Sequence, residues 1–552
     1  MPQDVIAAAR HHLNNGRLPE AADLLAQAVA ERPGEAGLRA ALTQVLRGLS
    51  RAEPGRPQIH RRLADALADL GDATAARDAY HAALLADPDD LAARWLGGRV
   101  LPRVYHSPED IDLWRGRFVD AIGALAATTP LDGPEQAVRA ANAILLRTNF
   151  ELAYQARDDR PAQELWGRLT TRSMAGVLPD LAAAPPRPER PDGRIRIGYA
   201  SSFFWSHTIS LLFAGWIMGA NRDRFAVHVY LTGGRRDGTT ETLGRHADVF
   251  RDLHATDVAG AARAIRDDRL DVLVFPDLGM EPRSFALAAL KLAPVVCVGM
   301  GHPVTTGLPT VDWFLTSDLM EPEGGEAHYA EKLLRLPGTS FHYTPNAKPP
   351  AKGRAALGLP EDGVLYLCCQ AQQKYLPQYD ALFPAIAARL PASRFVFIEH
   401  RSMAHVNRML RARIERAFAA RGLDPSRHLV FLPWLEWTDF LDLNAACDVF
   451  LDSVGWSGGN TTFEALSRGM PVVTLPGAFM RGRHALAMLR ILGAEDCVAR
   501  DADHYVEIAV RLGEDRGFHE RQRAIVAAGR DRLFRDRAPV EALEVFYQRV
   551  AG

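Results

Sequence analysis

The sequence predicts an α + α/β architecture: a helical N-terminal half followed by an α/β half of two doubly wound domains. Three observations carry it. From residue 1 to about 180, alanines and leucines recur at helical spacing with few β-branched runs. The stretch "AAAPPRPERPDGR" then breaks any continuous helix, because its prolines cannot donate to a helical ladder and favour an extended linker. From Arg194 onward short apolar runs alternate with helical stretches, and the alternation restarts after Pro349, as parallel sheets with helical crossovers require.

Bulk composition bounds the class. A chain of 552 residues with 47% hydrophobic and 24% charged residues has the apolar surface for several cores, about three or four domains by size. Its formal net charge of -2 supplies no whole-chain field to recruit nucleic acid or an anionic membrane. The five cysteines, Cys297, Cys368, Cys369, Cys447 and Cys497, form no C-x-x-C pair and mostly fall in apolar runs, which fits buried thiols in a reducing cytoplasm. The N-terminus lacks the charged-then-apolar pattern of a secretion signal, and no apolar run approaches the roughly 20 residues that span a bilayer. The longest, "FALAALKLAPVVCVGMG", is broken by Lys291 and Pro294 and reads as core.

In the helical half, "LADALADLGDATAARDAYHAALLADPDD" places Gly71, Ala76, Tyr80, Ala83 and Pro88 in a small-and-aromatic pattern that "NNGRLPEAADLLAQAVAERP" repeats with Gly16, Ala21, Leu25, Ala28 and Pro33. This resembles the tetratricopeptide repeat, a pair of helices in which small residues let one helix nest on the next. The copies are offset by more than one repeat length, so an additional helix is expected near Glu35–Leu49. The repeats imply a surface for a protein partner or for self-association. Residues 101–182 read as further helices without a repeat.

In the α/β half, "RIRIGYAS", "RFAVHVYLTG", "DVLVFPD" and "VVCVGMG" read as strands of a first sheet, and "VLYLCCQ", "RFVFIEH", "HLVFLPW", "DVFLDS" and "PVVTLPG" as strands of a second. Ligands of such sheets bind beyond the carboxyl ends of the strands, so the polar residues just after each run are the candidates.

Four stretches qualify. In "LDSVGWSGGNTTFEALSRGMPVVTLPG", Gly458 and Gly459 allow close backbone approach, "SVGWSGGN" reads as loop, and the N–H groups of Thr461 and Thr462 at the start of the helix "TTFEALSRG" attract an anion. The Thr461-x-x-Glu464 spacing also reads as a capping box, so Glu464 is either the cap partner or an acceptor for ribose hydroxyls. In "CCQAQQKYLPQYDALF", Lys374 follows a buried strand, where its ammonium can neutralise a departing phosphate; Gln370 stands at the strand end. In "RIRIGYASSFFWSHTIS", His207 follows the first strand, placed to act as general base, to bond a phosphate, or to serve the fold. In "GMGHPVTTGLP", a glycine- and threonine-rich loop offers His302, Thr305 and Thr306.

Together, "GYASSFFWSH", "GHPVTTGLPTVDWFLTSDLMEPEGGEAHYAEKLLRLP", "QAQQKYLPQYDAL" and "LDSVGWSGGNTTFEALSRGMPVVTLPGAFMRGR", behind tetratricopeptide-like helices, resemble the protein O-linked N-acetylglucosamine transferase and SPINDLY family over about residues 190–535. The resemblance implies a GT-B pair of Rossmann-like domains and inverting, metal-independent sugar transfer to Ser or Thr hydroxyls of a protein, with UDP-N-acetylglucosamine as donor. It implies that His207 lies near the donor phosphates and reacting centre, that Lys374 binds the diphosphate, that Asn460, Thr461 and Thr462 form the phosphate-binding helix start, and that Glu464 holds ribose. Phe203 occupies a position that is acidic in many relatives, and Leu211 one that is histidine in animal enzymes. No D-x-D at a strand end offers a metal cage, so a cation role falls to Lys374.

The resulting expectation is a cytoplasmic glycosyltransferase with residues 1–100 as repeats, 101–182 as a helical connection, 183–194 as linker, and 195–348 and 349–552 as the two GT-B domains. A protein acceptor, presented by the repeats, is the expected partner. The alternatives are the same fold using GDP-fucose or a flagellin-modifying sugar, and a non-catalytic tetratricopeptide scaffold.

Overall fold

The computed structural model describes residues 2–32, 34–346 and 349–552; Pro33 of the first repeat copy and Lys348 at the expected domain boundary lie outside the described residues. They form two compact units that cut across chain order, residues 1–125 with 368–440 and residues 126–367 with 441–552. The strands are β1 (Ile195–Ser201), β2 (Phe225–Leu231), β3 (Val249–Asp252), β4 (Val272–Phe275), β5 (Val295–Gly299), β6 (Trp313–Ser317), β7 (Lys332–Leu336), β8 (Val364–Cys368), β9 (Ser393–Ile398), β10 (Leu429–Leu432), β11 (Val449–Leu451) and β12 (Val472–Val473).

The first unit begins with the helices Pro2–Asn14, Leu18–Glu31, Ala36–Ala52, Pro57–Asp69, Ala73–Ala86 and Leu91–Arg99. The repeat glycines end the first helix of each pair: Gly16 (φ 71°) and Gly71 (φ 84°) adopt the left-handed conformation that a residue with a Cβ resists. Asp72 then caps the next helix by accepting the Ala75 N–H at 3.1 Å. The element expected near Glu35–Leu49 is the regular helix Ala36–Ala52, with Leu38, Leu42, Val45, Leu46 and Leu49 buried.

In the same unit, β9 and β10 pair in parallel with Phe395 opposite Leu429. The helix Ala404–Ala420 meets the repeats directly, since a Cβ at Gly71 would lie 2.4 Å from the Val406 side chain. Arg413 of that helix is buried and bonds Asp380 through two nitrogens, at 2.7 and 3.1 Å, and the carbonyl of Tyr105 at 2.8 Å; it also bonds the carbonyl of Tyr375.

The second unit holds a seven-stranded sheet of order β3-β2-β1-β4-β5-β6-β7, parallel throughout. Strand order reverses between β1 and β4, where a crevice opens beyond the carboxyl ends. Sequence reading names four of these strands. The other three, β3, β6 and β7, escape it; at the edges β3 and β7, Arg251, Lys332 and Arg335 interrupt the apolar pattern on strands that are only half-buried. In this unit β11 pairs in parallel with both β8 and β12. The closing helix Ala538–Ala551 returns to the first sheet, where Tyr547 and Tyr199 share a hydroxyl bond at 3.1 Å and the Asn221 N–H donates to Glu544 at 2.8 Å.

The connecting helices gain a role that their sequence does not announce. Within the second unit, Tyr154 stacks on Trp456 at 4.1 Å between ring centroids, and Phe150 lies 5.1 Å from His302. Buried Arg481 donates to the carbonyls of Ala153 (3.0 Å) and Arg157 (2.7 Å) and pairs with Asp159 at 3.1 Å. The helix Arg160–Val177 approaches the Gly307 loop backbone to backbone: a Cβ on Gly167 would stand 2.0 Å from the Gly307 carbonyl oxygen. These contacts tie the connection to the loops after β5 and β11.

Replacing Arg413 by Ala strands the buried Asp380 carboxylate and frees two backbone carbonyls, so Arg413→Ala is expected to lower unfolding free energy by about 3–5 kcal/mol. Urea or guanidinium unfolding measures it; a change under about 1 kcal/mol contradicts the arrangement.

Candidate active site

The chain leaves β11 at Leu451 and turns through Gly455 (φ 99°), a backbone state that favours glycine. The buried Asp452 carboxylate then gathers the loop. It accepts the Ser457 hydroxyl at 2.6 Å, the Gly458 N–H at 2.6 Å and the Thr474 hydroxyl at 2.7 Å, and Tyr505 donates to its backbone carbonyl at 3.0 Å. Ser457 in turn accepts the Ala485 N–H at 2.9 Å.

The expected capping box does not form. The helix runs Asn460–Ser467, its N-cap is Gly459, and no side chain caps it. Thr461 and Thr462 therefore sit inside the first turn rather than before it, and both hydroxyls lie over Gly458, where a Cβ would come 2.7 and 2.6 Å from them. Thr462 Oγ1 and Asn460 Oδ1 are buried and have no protein partner among the described residues. Gly459 lies against His484, whose Nδ1 would be 3.1 Å from a Cβ there. Glu464, one turn on, is buried in the helix. A helix start with an uncapped first turn, glycine beneath it and an unpartnered hydroxyl is built to receive an anion's oxygens.

His207 is the N-cap of the helix Thr208–Met218, and its Nδ1 accepts the Ile209 N–H at 3.2 Å. That bond leaves the proton of the neutral ring on Nε2, so the ring is a hydrogen-bond donor rather than a proton acceptor at that atom. Phe203 stacks on one side of it (4.6 Å) and Trp205 lies on another (4.9 Å). Burial, helped by the charge of Arg235, lowers the ring's pKa to about 4.

His302 is buried, and its Nε2 has no partner among the described residues. Burial and the Arg481 charge hold it neutral, with a pKa near 4. Gly279 (φ 100°) leaves room for the ring; a Cβ there would lie 2.3 Å from Nδ1. Thr305 and Thr306 are turned inward: both hydroxyls donate to Glu331, Thr305 at 2.6 Å, and the Thr306 N–H adds a bond at 2.8 Å. The structure thus spends these two hydroxyls on fixing their loop. Nearby, Asp277 follows β4 with its carboxyl pushed up to about 7 by burial, accepting the Ser201 hydroxyl at 2.8 Å; nothing in the local sequence singles it out.

Lys374 and Gln370 belong to the first unit. Lys374 ends a short helical turn, Gln372–Lys374, and is half-buried. The following residue is locked: the Tyr375 hydroxyl donates to Gln370 Oε1 at 2.7 Å and accepts the Gln370 N–H at 3.3 Å, while Arg413 holds the Tyr375 carbonyl. Fixing Gln370 through its oxygen leaves the amide nitrogen as its donor.

Gly458→Ala should force the Thr461 and Thr462 hydroxyls aside and weaken anion binding at the helix start; a melting scan with and without inorganic pyrophosphate checks it, and a shift equal in wild type and variant contradicts it. His207 should remain neutral from pH 8 to about 5, with its proton on Nε2, in nitrogen-detected NMR. Because its folded pKa lies below the ordinary value, the stability it supports is present above pH ~6.5 and is lost as pH falls through about 4. An ordinary midpoint near 6.5 would show the ring to be solvated.

Comparison with known proteins places this geometry. The chain is 28% identical over 335 residues to a probable UDP-N-acetylglucosamine–peptide N-acetylglucosaminyltransferase SPINDLY of Solanum lycopersicum, covering 59% of this chain and 35% of the relative. The Arabidopsis thaliana protein of the same name is 28% identical over 334 residues, 59% of this chain and 36% of the relative. The chain spans about a third of the length of these curated relatives. A solved O-GlcNAc transferase mutant of Thermobaculum terrenum matches with a TM-score of 0.67 at 23% identity, covering 100% of this chain and 97% of that one, which shows a GT-B fold behind a helical N-terminal region. The model named Glycosyl transferase family 41 matches residues 182–348 and 343–538. More than half of the sequence is covered by that match, and the chain belongs to glycosyl transferase family 41.

Proposed function

We propose that the chain is an inverting, metal-independent protein glycosyltransferase that moves a sugar from a nucleoside diphosphate donor, UDP-N-acetylglucosamine by analogy with its relatives' names, to a Ser or Thr hydroxyl. The observation that carries the reading is the uncapped helix start at Asn460–Thr462, where the buried Thr462 hydroxyl has no partner among the described residues and the helix dipole favours an anion. In the reaction the acceptor hydroxyl oxygen attacks the anomeric carbon opposite the diphosphate, the bond from that carbon to the phosphate oxygen breaks with its electron pair leaving on the phosphate, and the hydroxyl's proton passes to a phosphate oxygen of the departing diphosphate. Negative charge therefore grows at the diphosphate. Lys374 supplies a cation to it, the helix N–H groups and the Thr461 and Thr462 hydroxyls supply donors, and the His207 Nε2–H donates to a phosphate oxygen or the reacting hydroxyl. Gln370 offers its amide nitrogen to the donor, and Glu464 takes the ribose hydroxyls. The helical repeats present the protein acceptor. Five buried free cysteines fit a reducing, cytoplasmic setting.

Removing one preorganised donor at a developing charge typically costs about 3–4 kcal/mol, on the order of a hundred- to a thousandfold in rate. Lys374→Ala is expected to lower kcat for sugar transfer by that factor while circular dichroism and the unfolding midpoint stay put. Transfer from UDP-N-acetylglucosamine or GDP-fucose to a protein acceptor, followed by mass spectrometry, measures it; unchanged kcat in the variant removes Lys374 from the chemistry.

A further inference from the structure

We propose that Arg235, held beside His207 on the Trp205 ring, is an acceptor-specificity residue that selects a Ser or Thr flanked by a carboxylate side chain; this deepens the glycosyltransferase reading and rests on it. Arg235 stands on the loop after β2, next to the carboxyl end of β1 that leads to His207, in the sheet that does not hold the phosphate helix. Its guanidinium carbon lies 3.8 Å from the Trp205 centroid, and Trp205 lies 4.9 Å from His207. Phe203 closes the other side of the imidazole. The collar is therefore aromatic on two sides of His207 and cationic at its rim.

The neighbouring charges are already committed. Arg236 pairs with Asp252 at 2.9 Å, and Asp252 also accepts from His254 at 2.7 Å. Asp237 receives the N–H groups of Ser206 (2.8 Å), Thr239 (2.9 Å) and Thr240 (3.4 Å) as a helix cap. Arg235 is exposed and has no carboxylate partner among the described residues. Stacking on the indole restricts the long side chain beforehand, so less freedom is lost when a carboxylate meets the guanidinium edge. With the donor's phosphates proposed at the Asn460 helix start and His207 reaching the reacting hydroxyl, the anion left for Arg235 to meet is the acceptor's.

A library of Ser and Thr peptides with randomised flanking residues, incubated with the full chain and UDP-N-acetylglucosamine or GDP-fucose, tests this by mass spectrometry. The readout is the ratio of kcat/KM for Asp- or Glu-flanked over Lys-flanked peptides, which cancels any general loss of activity. Wild type is expected to favour acidic flanks about fivefold, Arg235→Gln to lose the preference and Arg235→Glu to reverse it; Trp205→Leu, which frees the guanidinium, should fall between. Transfer that ignores flanking charge, or a preference unmoved by Arg235→Glu, overturns the inference alone. Absence of any donor turnover by wild type overturns the glycosyltransferase reading and the inference with it.

Discussion

Everything at the candidate site hangs on the Asp452 carboxylate. A buried carboxylate is costly unless its lone pairs are filled, and here two hydroxyls and a backbone N–H fill them at 2.6–2.7 Å. Those bonds bend the chain between β11 and the next helix so that Gly458 lies under the first turn. With the preceding loop already held by Asp452, the Thr462 hydroxyl is left without a protein partner among the described residues. The carboxylate thus acts on the ligand indirectly, by deciding where the helix begins and what its first N–H groups face.

Around that turn the fold converts long-range packing into site geometry. The connecting residues 150–159 reach the loop after β11 through the Tyr154–Trp456 stack and the loop after β5 through Phe150 and His302. Arg481 fastens the same segment from the stretch after β12. In the other unit, Arg413 sets the Tyr375 carbonyl and so the end of the Lys374 turn. His207, half-buried, donates from Nε2 because its Nδ1 accepts the Ile209 N–H. That assignment follows from which backbone group reaches the other ring nitrogen, not from the residue type.

Much of this was legible in the sequence, for local reasons. Strand–loop–helix punctuation located His207, Lys374 and the Gly458–Thr462 turn, and the glycine-to-proline repeat located the N-terminal helix pairs, because each depends on residues close in the chain. The misses are non-local or competitive. The Thr461-x-x-Glu464 box lost to a helix that begins one residue earlier at Asn460 with Gly459 as cap. Thr305 and Thr306 looked like ligand groups, but Glu331, far along the chain, accepts both hydroxyls. Asp277, Arg481 and Asp452 carry no motif; their roles appear only when the carboxyl ends of the strands are brought together.

The central proposal is that the uncapped helix start at Asn460 receives the phosphates of a nucleoside diphosphate. Calorimetric titration of the full chain with UDP, UMP, GDP and GMP tests it most directly. The account predicts that one diphosphate binds at least about tenfold more tightly than its monophosphate, a difference of roughly 1.4 kcal/mol for the second phosphate. Equal affinity for a nucleotide with one phosphate or two, or no binding of any of the four, would contradict it.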